Sequence, residues 1–439
     1  MDDLERKILD LIPKSMAERG IVALESLIGP VRDVLNRRRF PDRPLSDLQI
    51  EWLLRLLSSM DSDKDVDAAR VGEREGRVAS PLVERLAAGF NHGVGRSGHV
   101  TAPQPKAAGA SLMQQVCNSV ATDAIRQLGL PNTRAGVVLP LSTGMSIALV
   151  AATLRRLFGV KRIVYPRIDH KSPRRGIALA GLEVVDVPTV LVDDAVQTDI
   201  SELEQALSTA SDAAVLTTTT FFPPREPDPV KDVAKMCADR DVPHIINNAY
   251  GVQSVNIMSL VRSAIDAGRV DAVIQSSDKN FLSPVGGSVV VSPMEGLVHQ
   301  IAETYAGRAT AAPIVQTLAA LLATGRLGYD HLRTEQHRNR VLLERRLVEI
   351  AEEIGQRVLQ VRNPVSCAMT LDGLDAHDLG ARLYNRRVTG PRAVERGEWG
   401  SCIDDYPHSY IVVNAAIGAR EVDVERATTK LYKELKQRE

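Results

Sequence analysis

Apolar residues recur at helical spacing from the start of the chain to about residue 65. The recurring positions are Ile8, Leu11, Ile12, Ile21, Leu24, Leu27, Ile28, Leu48, Trp52, Leu53, Leu56 and Leu57. Residues three and four positions apart share one face of a helix, so the pattern predicts amphipathic helices. Pro30, Pro41 and Pro44 interrupt the pattern, and we expect them to separate the helices.

From about residue 135 the pattern changes to short β-branched runs that alternate with helical stretches. The candidate strands are residues 136–141, 162–165, 183–187, 213–218, 244–246, 272–275 and 287–291. This alternation predicts an α/β fold with a mostly parallel seven-stranded sheet wrapped by helices. Ligand sites of such sheets lie at the carboxyl ends of the strands.

The pattern changes again beyond residue 315. A long charged helix is expected from His331 to about Arg357, followed by strands at 368–371 and 410–415 and a terminal helix. These elements predict a small α+β domain packed on the first. The predicted domains are a helical extension (1–69), a main domain (70–314) and a C-terminal domain (315–439).

Charge is balanced over the chain, with 54 basic and 55 acidic residues among 439. The net charge of −1 gives no global positive field, so any contact with a nucleic acid is expected to be local. Arg37, Arg38 and Arg39 form one basic cluster. Such a cluster is usually a solvated helix end, although it could meet phosphates.

Neither a membrane span nor a disulfide framework is expected. The uncharged stretch 135–154 is interrupted by Pro140 and by Ser142-Thr143-Gly144, which predicts a strand, a loop and a helix. The four cysteines lie far apart with no CxxC pair, so they predict neither disulfides nor a metal site. The charged start resembles no secretion signal, and we expect a cytoplasmic protein.

The strongest chemical candidate is Lys279, which follows the apolar strand 272–275 in the string Ser276-Ser277-Asp278-Lys279. A lysine at this edge of a sheet could be desolvated, which would favour the neutral amine that an aldehyde cofactor requires. An isolated lysine at such a place is more often a surface residue in a turn. Its neighbours therefore decide between the two interpretations.

Two other strand ends supply those neighbours. Asn247 ends one strand, where it could meet the ring nitrogen of a cofactor. Thr143, Gly144 and Met145 join another strand to a helix, whose amides and positive end suit a phosphate. The order of phosphate loop, strand-end polar residue and SSDKN lysine resembles the aspartate-aminotransferase-like superfamily of pyridoxal-phosphate enzymes.

The resemblance includes one departure. The superfamily usually pairs the ring nitrogen with an Asp, whereas this chain has Asn247. A neutral amide stabilises a protonated ring less than a carboxylate does, so the cofactor should be a weaker electron sink. Elimination of a good leaving group from Cβ, such as phosphate, tolerates this better than transamination does.

A Gly-rich segment with many hydrogen-bond donors supplies a second candidate site. It spans residues 93–106 and follows the string GEREGR at 72–77. Glycines expose backbone N–H groups, and arginine offers a planar fork that fits phosphate oxygens. The segment matches neither a Walker A nor a GxGxxG fingerprint, so no nucleotide is implied.

Several short strings together resemble the O-phosphoseryl-tRNA(Sec) selenium transferase family. They are GEREGRV, GVGRSG, QPKAAG, RIDHKS, NNAYGVQS, SDKNF, PVGG and YAGRA. The resemblance implies pyridoxal 5'-phosphate bound by Lys279, with Arg74 and Ser276 also at the cofactor. It implies that the phosphoseryl phosphate is bound by Arg96, Ser97, Gln104 and Arg308.

The same resemblance assigns three further roles. Glu73 would repel a free α-carboxylate and so favour an esterified amino acid. His170 would stack over the cofactor ring, although a lone histidine is as often structural. Arg392 would read a base beside the CCA end of the tRNA. Where the family can have a basic tRNA contact, this chain has Asp266, with Arg269 nearby.

The implied reaction converts O-phosphoseryl-tRNA(Sec) to selenocysteinyl-tRNA(Sec) with selenophosphate as donor. Lys279 would remove the Cα proton, and phosphate would leave before selenium adds. The family also implies a homotetramer in which the active sites form within dimers. The helical extension is expected to contribute contacts to the oligomer or to the tRNA. No metal is expected. The alternatives are sulfur transfer to make cysteinyl-tRNA, a decarboxylase or lyase acting on free amino acids, and a non-catalytic tRNA-binding scaffold.

Overall fold

The computed structural model describes residues 11–436, so the predicted helical position Ile8 lies outside the described residues. Two helices begin the described chain, α1 (Lys14–Arg37) and α2 (Asp47–Ser58). Ser46 and Gln49 form a capping box that fixes the start of α2. Pro41 and Pro44 lie between the two helices, as the sequence predicts.

The prediction that Pro30 separates two helices is wrong, because α1 continues through it. A proline inside a helix leaves the carbonyl four residues earlier without its usual N–H donor. Here that carbonyl belongs to Ser26, and it accepts a hydrogen bond of 3.0 Å from the Nε2 of Gln49. The Gln49 side chain that caps α2 therefore also supplies the hydrogen-bond donor that the interrupted turn of α1 lacks.

The central sheet confirms the predicted fold class. Its strands are β1 (Ala135–Leu139), β2 (Arg162–Pro166), β3 (Glu183–Val187), β6 (Ala213–Thr218), β7 (His244–Asn247), β8 (Ala272–Ser276) and β9 (Ser288–Ser292). Their order is β1-β9-β8-β7-β6-β2-β3, and only β9 runs against its neighbours. The carboxyl ends of β1, β2, β7 and β8 therefore lie along one edge of the sheet. A small hairpin of β4 (Thr189–Val192) and β5 (Ala195–Thr198) stands apart.

Helices connect the strands and cover the sheet. They are α3 (Pro81–Leu86), α4 (Ala108–Gln127), α5 (Thr143–Phe158), α6 (Lys171–Leu179), α7 (Ile200–Thr209), α8 (Val230–Asp239), α9 (Val255–Ala267), α10 (Ser277–Phe281) and α11 (Glu295–Thr304). The uncharged stretch forms β1, a loop and α5, as predicted. Within residues 11–436, no helix is long and apolar enough to cross a membrane.

The C-terminal part begins with α12 (Ala312–Glu353), which starts earlier than predicted and is broken at Gly325. Gly325 has a φ of 59°, and a Cβ there would lie 2.7 Å from the backbone carbon of Arg43. The segment before α2 is therefore packed against this break. The chain continues through β10 (Ser366–Thr370), α13 (Ala376–Asn385), β11 (Arg392–Val394), β12 (Tyr410–Asn414) and α14 (Glu421–Lys436).

Strands β10 and β12 confirm the two predicted C-terminal strands, whereas β11 was not predicted. Three residues are too few for an alternating pattern to identify. Residues between 343 and 435 form a small apolar core of their own, while α2 shares the larger core of the central sheet. The domain limits at residues 69 and 314 stay a prediction.

Candidate active site

Lys279 lies on α10, the short helix that follows β8. Asn280 fixes the backbone here, because its Nδ2 donates to the carbonyls of Ala249 and Ser276 at 2.8 Å. The Nζ of Lys279 lies 3.1 Å from Asp278 Oδ2 and 3.4 Å from Ser276 Oγ. The lysine side chain is 49% exposed, so the single chain does not give it the desolvation expected from the sequence.

Asn247 ends β7 on the same edge of the sheet and is 5% exposed. Its Nδ2 reaches Thr218 Oγ1 at 3.5 Å, whereas its Oδ1 is buried without a hydrogen-bond partner. An unpartnered buried carbonyl oxygen costs about 1–3 kcal/mol unless something donates to it. A ring N–H of a bound cofactor is a suitable donor.

The third strand end leads into α5, where Thr143, Gly144 and Met145 form the first turn. The N–H groups of a first turn have no partner within the helix, and they carry its positive dipole end. The Oγ1 of Thr143 is also buried without a partner, and so is the Oγ of Ser277. These unpartnered groups fit the phosphate and the ring of pyridoxal phosphate.

Gly176 on α6 is a residue that the sequence analysis missed. A Cβ on it would lie 2.5 Å from the backbone carbonyl oxygen of Gly144. Any larger residue would therefore push α6 away from the first turn of α5. The glycine sets the position of the predicted phosphate cradle, and no sequence pattern marks it because its role depends on contact with another helix.

His170 precedes α6 and lies near two cations of this edge. Its Nδ1 accepts a hydrogen bond of 3.3 Å from the backbone N–H of Ser172, and its ring meets Phe221 edge-on with centroids 6.1 Å apart. Desolvation, followed by the charges of Arg392 and Lys279, lowers the pKa of His170. A neutral imidazole is favoured, which suits stacking over an aromatic ring.

Arg392 reaches this edge from β11 in the C-terminal sheet. Its guanidinium carbon lies 5.3 Å from the ring centroid of Phe222 and 6.0 Å from that of Phe221. These two phenylalanines follow β6, so they bring the arginine to the carboxyl ends of the strands. The structure thus gathers Lys279, His170 and Arg392, which lie far apart in the sequence.

The Gly-rich segment forms a second group, which we call the phosphate loop (residues 93–106). Val94 and Ala309 exchange two backbone hydrogen bonds, of 2.9 and 3.1 Å, which hold the loop beside Arg308. Arg96 and Ser97 lie exposed on its first turn. Gln104 is partly buried, and its backbone N–H donates to Ser111 Oγ at 2.9 Å.

Arg308 and Arg74 line one cleft together with Glu73 and His92. Desolvation, followed by the charge of Arg74, lowers the pKa of Arg308. The Nε of Arg308 is buried without a partner, and its Nη2 donates to the backbone carbonyl of His92. A pair of cations with an unused buried donor is suited to bind an anion such as phosphate.

The buried residues behind this cleft were not predicted from the sequence. His92 and Asp61 are 6% and 2% exposed, and the Nε2 of His92 lies 3.6 Å from Asp63 Oδ1. Burial lowers the pKa of His92 and raises the pKa of Asp61. These groups come from separate segments, so only the fold reveals that they lie together behind the backbone carbonyl that accepts from Arg308.

The two groups of predicted site residues are not joined within one chain. Across residues 11–436, no hydrogen bond or ion pair connects the phosphate loop, Arg74 or Arg308 with Lys279 or Asn247. Asp266 lies apart from both and accepts a hydrogen bond of 2.6 Å from Asn132 Nδ2. Glu73 is exposed and lies 3.9 Å from Arg74.

The sheet order and the strand-end site define the class: this is the fold of the fold type I enzymes that use pyridoxal phosphate. The structure of Oryza sativa TDC with PLP shares it, with a TM-score of 0.58 and 15% identity over 98% of this chain and 99% of that one. The chain belongs to the O-phosphoseryl-tRNA(Sec) selenium transferase family, whose model matches residues 60–436.

Individual relatives agree with this assignment. The Methanopyrus kandleri O-phosphoseryl-tRNA(Sec) selenium transferase is 44% identical over 97% of this chain and 99% of its own length. The Dictyostelium discoideum protein of the same name is 33% identical over 96% of this chain and 97% of its own length. A crystal structure of the archaeal transferase superposes with a TM-score of 0.93 and 40% identity, covering 96% of this chain and 98% of that one.

Proposed function

We propose that the chain converts O-phosphoseryl-tRNA(Sec) to selenocysteinyl-tRNA(Sec), using pyridoxal 5'-phosphate as cofactor and selenophosphate as donor. The observation that carries this proposal is the family match over residues 60–436, which spans both groups of site residues. Relatives that are similar over nearly their whole length support the same activity. The scaffold alternative lacks any comparable support.

The strand-end residues suit the cofactor. The first turn of α5, with Thr143, Gly144 and Met145, would hold its phosphate. Asn247 would accept a hydrogen bond from the ring nitrogen, His170 would cover the ring face, and Ser276 would lie beside Lys279. Bound there, pyridoxal phosphate supplies a ring that stabilises negative charge at the substrate α-carbon.

Lys279 has two tasks in the proposed reaction. Its Nζ binds the aldehyde of the cofactor and later moves the α-proton of the substrate. Asp278, whose Oδ2 lies 3.1 Å away, would help to position this Nζ. Because the neutral amide of Asn247 stabilises a protonated ring nitrogen less than a carboxylate would, departure of a good leaving group suits this site better than transamination.

The arginine cleft suits the substrate phosphate. Arg308 would bind it and then stabilise the phosphate that leaves from Cβ, with Arg96, Ser97 and Gln104 contributed by the phosphate loop. Arg74, which lines the same cleft, would lie at the cofactor. Glu73 would repel the free carboxylate of an unesterified amino acid. Free O-phosphoserine is therefore a poor substrate, and this argues against a decarboxylase or lyase.

Contacts with the tRNA are proposed at two places. Arg392, held over Phe222, would read a base near the end of the acceptor arm. A second place is an open cleft lined by Arg37, Arg38, Arg39, Arg126 and Arg134, which concentrates positive charge on a chain with no net excess of it. Such a cleft suits the phosphate backbone.

The selenium donor separates this activity from its nearest alternative. Purified enzyme should form selenocysteinyl-tRNA from phosphoseryl-tRNA(Sec) and selenophosphate, and the amino acid released by hydrolysis is identified by mass spectrometry. With sulfide in place of selenophosphate, we expect little cysteinyl-tRNA, and tRNA(Cys) carrying phosphoserine should be a poor substrate. Efficient cysteine formation on either tRNA would support the sulfur transferase instead.

The separation of the two groups leads to a proposal about assembly. We propose that the phosphate loop and Arg308 of one copy complete the site around Lys279 of another, within a homotetramer built from two dimers. Contact with a second copy would also bury Lys279, which is half exposed in the single chain. On this proposal, the site within one chain is incomplete.

A mixture of two inactive variants tests this arrangement. Equal amounts of Lys279→Ala and Arg308→Ala subunits, refolded or co-expressed together, should recover about one quarter of the wild-type activity, because one site in each mixed dimer receives both intact residues. Each variant assembled alone is the control. No recovery in oligomers shown to be mixed would mean that Lys279 and Arg308 of the same chain act together.

A further inference from the structure

His99, His299 and Glu303 bring three metal-ligating side chains together outside the residues assigned above. One potential ligand atom of each lies within 4.8 Å of those of the other two. The imidazole rings of His99 and His299 meet at a centroid distance of 4.9 Å, and His299 Nε2 lies 3.2 Å from Glu303 Oε1. The cluster joins the phosphate loop to α11.

The backbone holds this arrangement in place. Arg96 and His99 exchange two backbone hydrogen bonds, of 2.9 and 3.0 Å, which close the turn of the phosphate loop. The next residue, Val100, donates to the carbonyl of Ala302 on α11 at 3.0 Å. His299 and Glu303 are four residues apart on that helix and so share one face. The ordered backbone of the phosphate loop and of α11 thus holds the three side chains facing one another.

We propose that His99, His299 and Glu303 form a binding site for a divalent transition metal of the Zn²⁺ type. Two imidazole nitrogens and one carboxylate oxygen suit Zn²⁺, whereas Mg²⁺ and Ca²⁺ prefer oxygen ligands. In a tetrahedral site with bonds of about 2.0–2.1 Å, ligand atoms lie about 3.3 Å apart. Side-chain rotations would have to close the present spacing of up to 4.8 Å to that value.

Two features distinguish the cluster from a simple surface ion pair. A helical His–Glu pair needs no third partner, yet His99 arrives from a segment 200 positions earlier and adds a further ligand. The Nδ1 of His99 lies 3.4 Å from Thr101 Oγ1, which orients the ring and leaves Nε2 to coordinate. Such an outer contact commonly fixes the ring of a metal-binding histidine.

The consequence is a metal crosslink between the turn that carries Arg96 and Ser97 and the helix that leads to Arg308. In the single chain His99 is partly buried and His299 and Glu303 are exposed, so an ion can reach them from solvent, and three protein ligands leave one coordination position open. The cysteine spacing predicts no metal site, but it carries no information about histidines. Histidines so far apart in the chain meet only through the fold.

Zinc titration of tag-free, chelator-treated holoenzyme tests the site, after free cofactor has been removed. Isothermal calorimetry should show one Zn²⁺ per chain, and His299→Ala or Glu303→Gln should weaken binding by at least about tenfold. His337→Ala, which removes an exposed histidine elsewhere, is the matched control and should bind as the wild type does. Co²⁺ should give a visible absorption band that disappears in His299→Ala.

Thermal unfolding of the same proteins separates loss of the site from loss of the fold. Without metal, the variants should unfold at the wild-type temperature. Zn²⁺ should raise the midpoint temperature of unfolding of the wild type and of His337→Ala, but not that of His299→Ala or Glu303→Gln. Absence of stoichiometric binding, or equal binding by the wild type and His299→Ala, overturns the proposal. These assays use no substrate, so their failure leaves the proposed function untouched.

Discussion

Lys279→Ala is expected to abolish formation of selenocysteinyl-tRNA. The substitution removes both the amine that binds the cofactor and the group that moves the α-proton, and loss of the proton transfer alone costs about 10²–10⁴-fold in rate. The measurement is single-turnover conversion of phosphoseryl-tRNA(Sec) with selenophosphate. The absorption band of the enzyme-bound cofactor should disappear together with the activity.

A matched lysine variant makes this result specific. Lys235→Ala removes an exposed lysine of α8 whose Nζ lies 3.4 Å from Asp232 and which has no proposed role in the site, and it should keep wild-type activity. Binding of phosphoseryl-tRNA(Sec) should persist in Lys279→Ala, because the proposed tRNA contacts remain. Turnover by Lys279→Ala at more than a small fraction of the wild-type rate would remove the lysine from the mechanism.

Arg308→Ala is expected to produce the second-largest loss, about 10²–10³-fold in the rate of conversion. Its guanidinium has a buried Nε without a partner and a pKa lowered by desolvation and by Arg74, so the free enzyme holds an unused donor and unneutralised charge. A bound phosphate would accept a hydrogen bond from this Nε and would neutralise the positive charge. Single-turnover rates with phosphoseryl-tRNA(Sec), compared with the wild type, measure the effect.

The conservative variant Arg308→Lys separates charge from geometry. It keeps the positive charge but not the planar fork, and it should recover only part of the rate. Arg345→Ala, which removes an exposed arginine of α12 paired with Glu349 at 3.9 Å, is the control for the loss of one arginine. If Arg308→Ala reacted at the wild-type rate, phosphate recognition would have to be assigned to other residues.

The sequence predicts much of the fold because the central strands are buried on both faces and contain β-branched runs. It also predicts the strand-end positions of Lys279, Asn247 and Thr143, since parallel strands end on one edge. It fails at β11, which is too short to show a pattern, and at Pro30, where Gln49 from another helix supplies the missing donor. At Pro30 a tertiary contact therefore overrides the tendency of proline to end a helix.

The residues that support the site were harder to predict. Gly176, His92 and Asp61 contact their partners only after distant segments have packed together, so neither their spacing nor their type identifies them. The expected burial of Lys279 is not present in one chain, where Asp278 pairs with it. The proposed contribution of a second copy to the site cannot be predicted from the pattern of one chain alone.

The most direct test of the central claim is to locate the cofactor on the chain. Holoenzyme is reduced with borohydride, digested and analysed by peptide mass spectrometry. The account predicts a single pyridoxyl-modified peptide containing Lys279, and no modification when Lys279 is replaced by Ala. A modified lysine elsewhere in the chain, or no covalent cofactor in active enzyme, would contradict it.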